Sequence, residues 1–348
     1  MKKDNSRVVA FGEIMLRISP LKPKSLISRS DEFLIEPGGA ESNVAVALAQ
    51  LGEKSVFVTR LPEGVLGEKV IRYLKANSVA TQDIVLCKGR MGLYWTETGS
   101  GVRPSEVFYD RGDSAFVNSR LPDFSWNRIL RDCNWFHASG ITPALSLRSA
   151  ALLIKVLSGL KTGIDISVDL NYRSKLWSWC RSKTQIQKIM WQTCSQASLI
   201  CANESDLSDA LGLDYVCGCA GFDYEQAAKE CFRRLKKMRW LAVSLRKSYN
   251  ADHNDWSAIL FVKNGNSLKK FDSRRFSLTR IVDRVGSGDA FTAGLIFGLR
   301  NYGSDHQKTL DFAVSLSALK HTVRGDASQF SEAQVKSFLN NPGAKIVR

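Results

Sequence analysis

Short apolar runs alternate with helix-period patterns along most of the chain. Val8–Phe11 predicts a strand, and 42–51 predicts a helix with apolar positions at Val44, Ala47, Leu48 and Leu51, closed by Gly52. The alternation continues with a strand over 55–59 and a helix over 66–76, then a strand over 135–138 and a helix over 146–160. Further strands are predicted at 164–170, 198–201 and 240–245, with helices at 183–194 and 224–237. Three more helices follow at 289–300, 306–322 and 332–339. Repeated strand–helix units imply an α/β fold, a mainly parallel central sheet with helices on both faces. Ligands of such sheets bind at the carboxyl ends of the strands.

Some stretches break the rhythm. Residues 13–19 read as a strand with Ile14, Leu16 and Ile18 on one side, and 33–36 is a second short candidate. Residues 93–98 and 106–110 read as a hairpin joined through Gly99-Ser100-Gly101. Together they predict a small β-sheet lid, built by inserted segments at about 13–19, 33–37 and 92–111. No internal repeat or low-complexity linker interrupts the 348 residues, so one domain over 1–348 is expected.

The segment Asp283-Arg284-Val285-Gly286-Ser287-Gly288-Asp289 carries the most chemistry. Its glycines let the chain turn so that backbone N–H groups converge, and the helix that follows adds unpaired donors and a positive dipole end. That combination seats an anion such as phosphate. Asp289 fits two roles there. It can cap the helix, or it can act as a general base while the N–H groups of Gly286, Ser287 and Gly288 stabilise a transferring phosphoryl group.

The net charge of +15 suits a surface that attracts anions. No nucleic-acid motif accompanies it, and the densest basic run, 233–239, follows an amphipathic helical pattern as a solvated face. Nucleic acid is therefore not expected as a partner. No apolar stretch reaches the roughly 18 residues of a membrane span, and the N-terminus lacks a signal-peptide core. A cytoplasmic location follows, so the eight scattered cysteines are read as reduced thiols. Cys217-Gly218-Cys219, the one close pair, lacks the spacing of a zinc site.

Gly38-Gly39-Ala40-Glu41-Ser42-Asn43, taken with the 286–289 string, resembles the motif pair of ribokinase-like (phosphofructokinase B type) sugar kinases. The resemblance covers nearly the whole chain. It implies that Gly38, Gly39 and Asn43 border the sugar, and that 286–289 is the anion hole with its catalytic aspartate. Within the family, 91–95, 107–111, 169–173 and 324–326 are most similar to the subgroup that phosphorylates 2-keto-3-deoxygluconate, as is 245–249 before Asn254-Asp255-Trp256. This implies Tyr94, Tyr109, Arg111, Arg173 and Asp326 at the substrate. Two arginines suit a sugar acid, since a guanidinium grips a carboxylate through a rigid two-donor fork. Arg111 could instead pair with Asp110 or Asp113, and Arg173 could face ATP phosphate.

On the nucleotide side the resemblance implies Asn171, Arg173, Asn203, Ser244, Arg246 and the 286–288 backbone, with ATP and Mg2+. Asn203-Glu204-Ser205-Asp206 is similar to the family's Asn-x-x-Glu motif, which makes Asp206 the candidate outer-shell magnesium ligand. Asn203 or Ser205 could equally cap a helix over 207–211. Ser287 and Arg284 stand where the family more often has alanine and threonine. The expected reaction is phosphorylation of the 6-hydroxyl of 2-keto-3-deoxygluconate. A kinase of another sugar such as fructose, and a kinase-like binding protein without activity, are the alternatives. A homo-oligomer formed through the lid is also expected.

Overall fold

The computed structural model describes residues 6–215, 221–265 and 267–340. The Cys217–Cys219 pair lies outside them. Their largest sheet runs Ser267–Asp272, His253–Asn264, Trp240–Ser248, Leu199–Asn203, Asp165–Asp169, Cys133–Ser139, Arg7–Phe11 and Ser55–Val58, in that order, with Phe276–Thr279 also pairing His253–Asn264. Every pairing from Trp240–Ser248 to Ser55–Val58 is parallel. Side chains alternate across this sheet and feed two cores. Val9, Phe136, Ile200 and Leu241 join one, and their neighbours Val8, Trp135, Leu199 and Ala242 join the other. Helices Leu147–Ser158, Lys183–Cys194 and Tyr224–Arg234 cover the first face. Helices Ala40–Gln50, Ser287–Asn301 and His306–Lys320 cover the second. A sheet buried on both faces explains why its central strands are almost wholly apolar.

The lid segments form a separate four-stranded sheet, ordered Phe33–Gly38, Met15–Pro20, Leu93–Glu97 and Glu106–Asp110. The hairpin expected at 93–110 is present as an antiparallel pair. Three antiparallel strands at one edge of the main sheet, His253–Asn264, Ser267–Asp272 and Phe276–Thr279, were not foreseen. Nor was the small parallel pair Arg60–Pro62 and Val85–Cys87.

The basic run proves to be a helix face and its exit. Arg233 and Arg234 both pair with Glu230, and Arg239 pairs with Asp165 and lies over the Trp240 ring. Among the described residues six cysteines are unpaired, and no helix is long and apolar enough to cross a membrane.

Candidate active site

A cavity of about 1460 Å³ opens where the carboxyl ends of the parallel strands meet the lid. Asp169 and Asn203 line it as the last residues of their strands, Asn171 and Arg173 from the turn after one of them, and Tyr94, Tyr109 and Arg111 from the lid side. Gly39, Asn43, Asp206, Ser244, Arg246 and Asp326 also line it, as do all four residues of 286–289. Gly38 sits just behind this wall, and a Cβ there would overlap the Tyr94 hydroxyl.

Gly286 takes up a left-handed backbone (φ 79°) immediately before helix Ser287–Asn301. A side chain there would collide with the Asp326 carbonyl as well as strain the turn. The Ser287 N–H is directed at the Arg284 carbonyl at 3.4 Å. The Gly288 and Asp289 N–H groups belong to the first helical turn, which has no carbonyl four residues back within the helix. The 15-residue helix points its positive end at the cavity.

Asp289 is buried beside this turn and accepts a hydrogen bond from Asn43 Nδ2 at 2.7 Å. Loss of hydration pushes its pKa up to about 7, against the Asn43 hydrogen bond and with the Asp326 and Glu41 charges adding to the rise. Burial also raises Asp169 well above the usual carboxylate range, with Asp206 and Asp289 contributing.

Asp326 rests on a buried polar network. It accepts from the Tyr94 hydroxyl and from Arg17 Nη1 at 2.7 Å, and the same Arg17 nitrogen pairs with Asp283 at 2.7 Å. Arg17 is 1% exposed. Desolvation lowers its pKa, but Asp326 and Asp283 outweigh that and leave it raised. Desolvation and Asp326 hold the Tyr94 phenol protonated, as a donor.

Arg111 is buried and pairs with neither Asp110 nor Asp113. Its Nε donates to Glu13 at 2.9 Å, its Nη2 bonds the same oxygen, and Ser114 Oγ donates to the other. Asp110 pairs with Arg90. Arg173, by contrast, is exposed, and its guanidinium donates to the neighbouring Tyr172 carbonyl at 3.3 Å.

The Asn203–Asp206 pair forms a reciprocal capping box on helix Glu204–Leu211. Asn203 Oδ1 accepts from the Asp206 N–H at 2.9 Å, and Asp206 Oδ2 accepts from the Asn203 N–H at 3.0 Å. Asp206 Oδ1 takes the Tyr172 N–H at 2.9 Å. Both carboxylate oxygens thus have backbone donors and keep lone pairs for a water on the cavity side. Asn171 Oδ1 is buried with no hydrogen-bond partner among the described residues. An unpartnered oxygen beside Asp206 and Asp169 suits the water shell of a magnesium ion, so these residues fit that ion. Arg173, Arg246 and Arg284 line the cavity; burial and the other two charges lower the Arg246 pKa, and an anionic ligand would offset that repulsion.

Sequence reasoning missed Arg17, Glu13 and Glu41. Glu41 lies inside the 38–43 motif and is fully buried, accepting from Ser139 and Thr142. Its position in that motif was the available signal; Arg17 offered none, because its partners come from the far end of the chain.

A mainly parallel α/β sheet, a β-lid and a glycine turn that opens a helix beside a buried aspartate define the ribokinase-like class of phosphotransferases. The pfkB family carbohydrate kinase profile matches residues 5–246, and the chain belongs to that family. A 2-dehydro-3-deoxygalactonokinase of Haloferax volcanii is 31% identical over 99% of both chains. The crystal structure of 2-dehydro-3-deoxygluconokinase from Thermotoga maritima superposes with a TM-score of 0.88 at 38% identity, covering 97% of this chain and 100% of that one. An Escherichia coli ribokinase II candidate, solved with ATP and Mg2+, shares the fold at 19% identity (TM-score 0.77, 96% and 99% covered). The chain is a carbohydrate kinase of a family that uses ATP.

Proposed function

We propose that the enzyme transfers the γ-phosphoryl group of ATP to the 6-hydroxyl of 2-keto-3-deoxygluconate. The observation that carries this reading is the Asn43–Asp289 hydrogen bond. It sets a desolvated carboxylate between the 38–43 segment, where a sugar would lie, and the 286–288 turn, where a phosphate would lie. Asp289 takes the proton of the hydroxyl as its oxygen attacks the γ-phosphorus. The Gly288 and Gly286 N–H groups, with the Ser287 peptide between them, stabilise the charge that gathers on the transferring group. Magnesium, which Asp206 and Asn171 would hold through water, neutralises phosphate charge when bound. Asn203, Ser244 and Arg246 face the nucleotide.

The sugar acid lies against Gly38, Gly39, Asn43, Tyr94, Tyr109 and Asp326. Arg111 and Arg173 meet its carboxylate, and Arg173 is also within range of the phosphates. The names of the Haloferax and Thermotoga relatives support the substrate class. The lid closes the site and excludes water. Its outer face exposes Ile35 and Phe108, and a second copy would cover them. Light scattering that reports a monomer would remove this last part.

ADP release with MgATP against 2-keto-3-deoxygluconate, its galactonate epimer, fructose, ribose and no sugar tests the reading. Turnover confined to the gluconate acid is expected. Preference for the galactonate epimer would correct the hydroxyl recognised, and turnover with fructose would overturn the role given to the arginines.

A further inference from the structure

Lys320 ends helix His306–Lys320 and is 0% exposed. An ammonium that deep persists only where other groups replace its hydration. Both groups that do so here are peptide carbonyls: Nζ donates to Val323 and to Asp283, each at 3.4 Å. The Val323 bond is local: it caps the turn three residues past the end of the lysine's own helix. Capping does not require the reach to Asp283, 37 positions earlier.

Asp283 is the residue from which the chain enters the 284–289 turn. Its side chain is fixed from two other directions. Oδ2 pairs with Arg17 of the lid strand at 2.7 Å and accepts the Gly325 N–H at 3.3 Å, while Oδ1 accepts the Val285 N–H at 3.0 Å. Those bonds hold the carboxylate. Lys320 is the group that holds the carbonyl, and so the tilt of the peptide plane leading into the turn. Burial lowers the lysine's pKa, with Asp283 and Asp326 acting in the opposite sense.

We propose that Lys320 is a positioning residue for phosphoryl transfer: its ammonium locks the Asp283–Arg284 peptide, and through it the aim of the N–H groups at Gly286 and Gly288. It also places a fixed positive charge behind the seat in which the transferring phosphoryl group gathers negative charge. A group that acts on the transition state more than on either bound substrate is expected to change turnover and spare binding. The inference rests on reading 286–289 as the phosphoryl seat.

The test is steady-state kinetics of the full chain with whichever sugar the unsubstituted enzyme phosphorylates. Lys320→Met is expected to lower kcat at least ~30-fold, with KM for sugar and ATP each within about threefold. In Lys320→Ala, methylammonium is expected to restore turnover saturably, and sodium at equal ionic strength is not. A kcat within threefold in Lys320→Met, or no rescue of Lys320→Ala by methylammonium, overturns the proposal. If neither variant folds, the lysine is a stability element and the proposal is likewise overturned. Asp289→Asn run in parallel separates the two readings. An active Lys320→Met beside an inactive Asp289→Asn sinks only the lysine's role, whereas a fully active Asp289→Asn sinks the base assignment at 286–289 on which the inference rests.

Discussion

Asn43 and Asp289 lie 246 positions apart in the chain, and one 2.7 Å hydrogen bond joins them, Asn43 Nδ2 donating to Asp289 Oδ2. The bond ties helix Ala40–Gln50 to helix Ser287–Asn301, which begins at the Gly286 turn. It also favours the ionised form of Asp289 and so opposes the desolvation that raises its pKa.

The proposed base must be ionised to act, and burial pushes the pKa of Asp289 up to about 7. The pH profile of kcat/KM, which reports the free enzyme, is expected to fall below about pH 7, roughly tenfold per unit. Asn43→Ala removes the one hydrogen bond that lowers this pKa, so the acid limb is expected to move upward. A limb near the ordinary aspartate value in the unsubstituted enzyme would contradict the burial argument.

The same shift bears on stability. Between its ordinary 3.8 and its folded value of about 7, Asp289 binds more proton in the native state than in the unfolded one. Its favourable contribution is complete below 3.8 and is lost as pH rises through 7. The folded protein at pH 8 thus carries a buried charge costing on the order of 4 kcal/mol. Asp289→Asn cannot ionise. It is expected to raise the thermal midpoint at pH 8, by an advantage that shrinks toward pH 4, while lowering turnover at least ~100-fold. Thermal unfolding across that pH range, beside kcat, checks both halves.

The strands of the parallel core were legible because a strand buried on two faces is a short run of Val, Ile, Leu and Ala bounded by helical patterns. The antiparallel strands at one edge were not. Ser267–Asp272 is exposed at four of its six positions and carries Lys269 and Lys270 side by side, so it reads as a polar loop. The candidate site was legible where one segment held the chemistry, as at 286–289. It was hidden where the site is an assembly. Arg17 occupies the middle of an apolar strand, and the two carboxylates that explain it come from near the other end of the chain. Arg111 could be weighed against its sequence neighbours Asp110 and Asp113, but Glu13 becomes its partner only when the lid strands pair.

The two glycines of the turn separate folding from chemistry. Gly286 has positive φ and no room for a side chain, so Gly286→Ala is expected to destabilise the protein by several kcal/mol. Gly288 has no atom within 4 Å of where a Cβ would stand. Gly288→Ala is expected to fold with a nearly unchanged thermal midpoint and to lose turnover, since its methyl would enter the space where a phosphoryl group would sit. A Gly288→Ala enzyme with full activity would take the phosphate away from this turn.

Arg111 pairs with Glu13 and, in the proposed reading, also meets the substrate carboxylate, so one substitution confounds two effects. In Arg111→Ala, Glu13 is left buried without its cation, an arrangement that costs about 3–5 kcal/mol. Poor activity in that variant would therefore say nothing specific about the sugar. Glu13→Gln in the same chain removes the orphaned charge, keeps a partner for Ser114, and is expected to recover most of the lost stability in chemical denaturation. If Arg111 meets the substrate carboxylate, the double variant retains a KM for the sugar acid raised at least ~10-fold, the scale of a charge-assisted hydrogen bond, with KM for ATP little changed. Recovery of the sugar KM together with stability would show that Arg111 serves only to neutralise Glu13, and would move the search for the carboxylate's partner to Arg173.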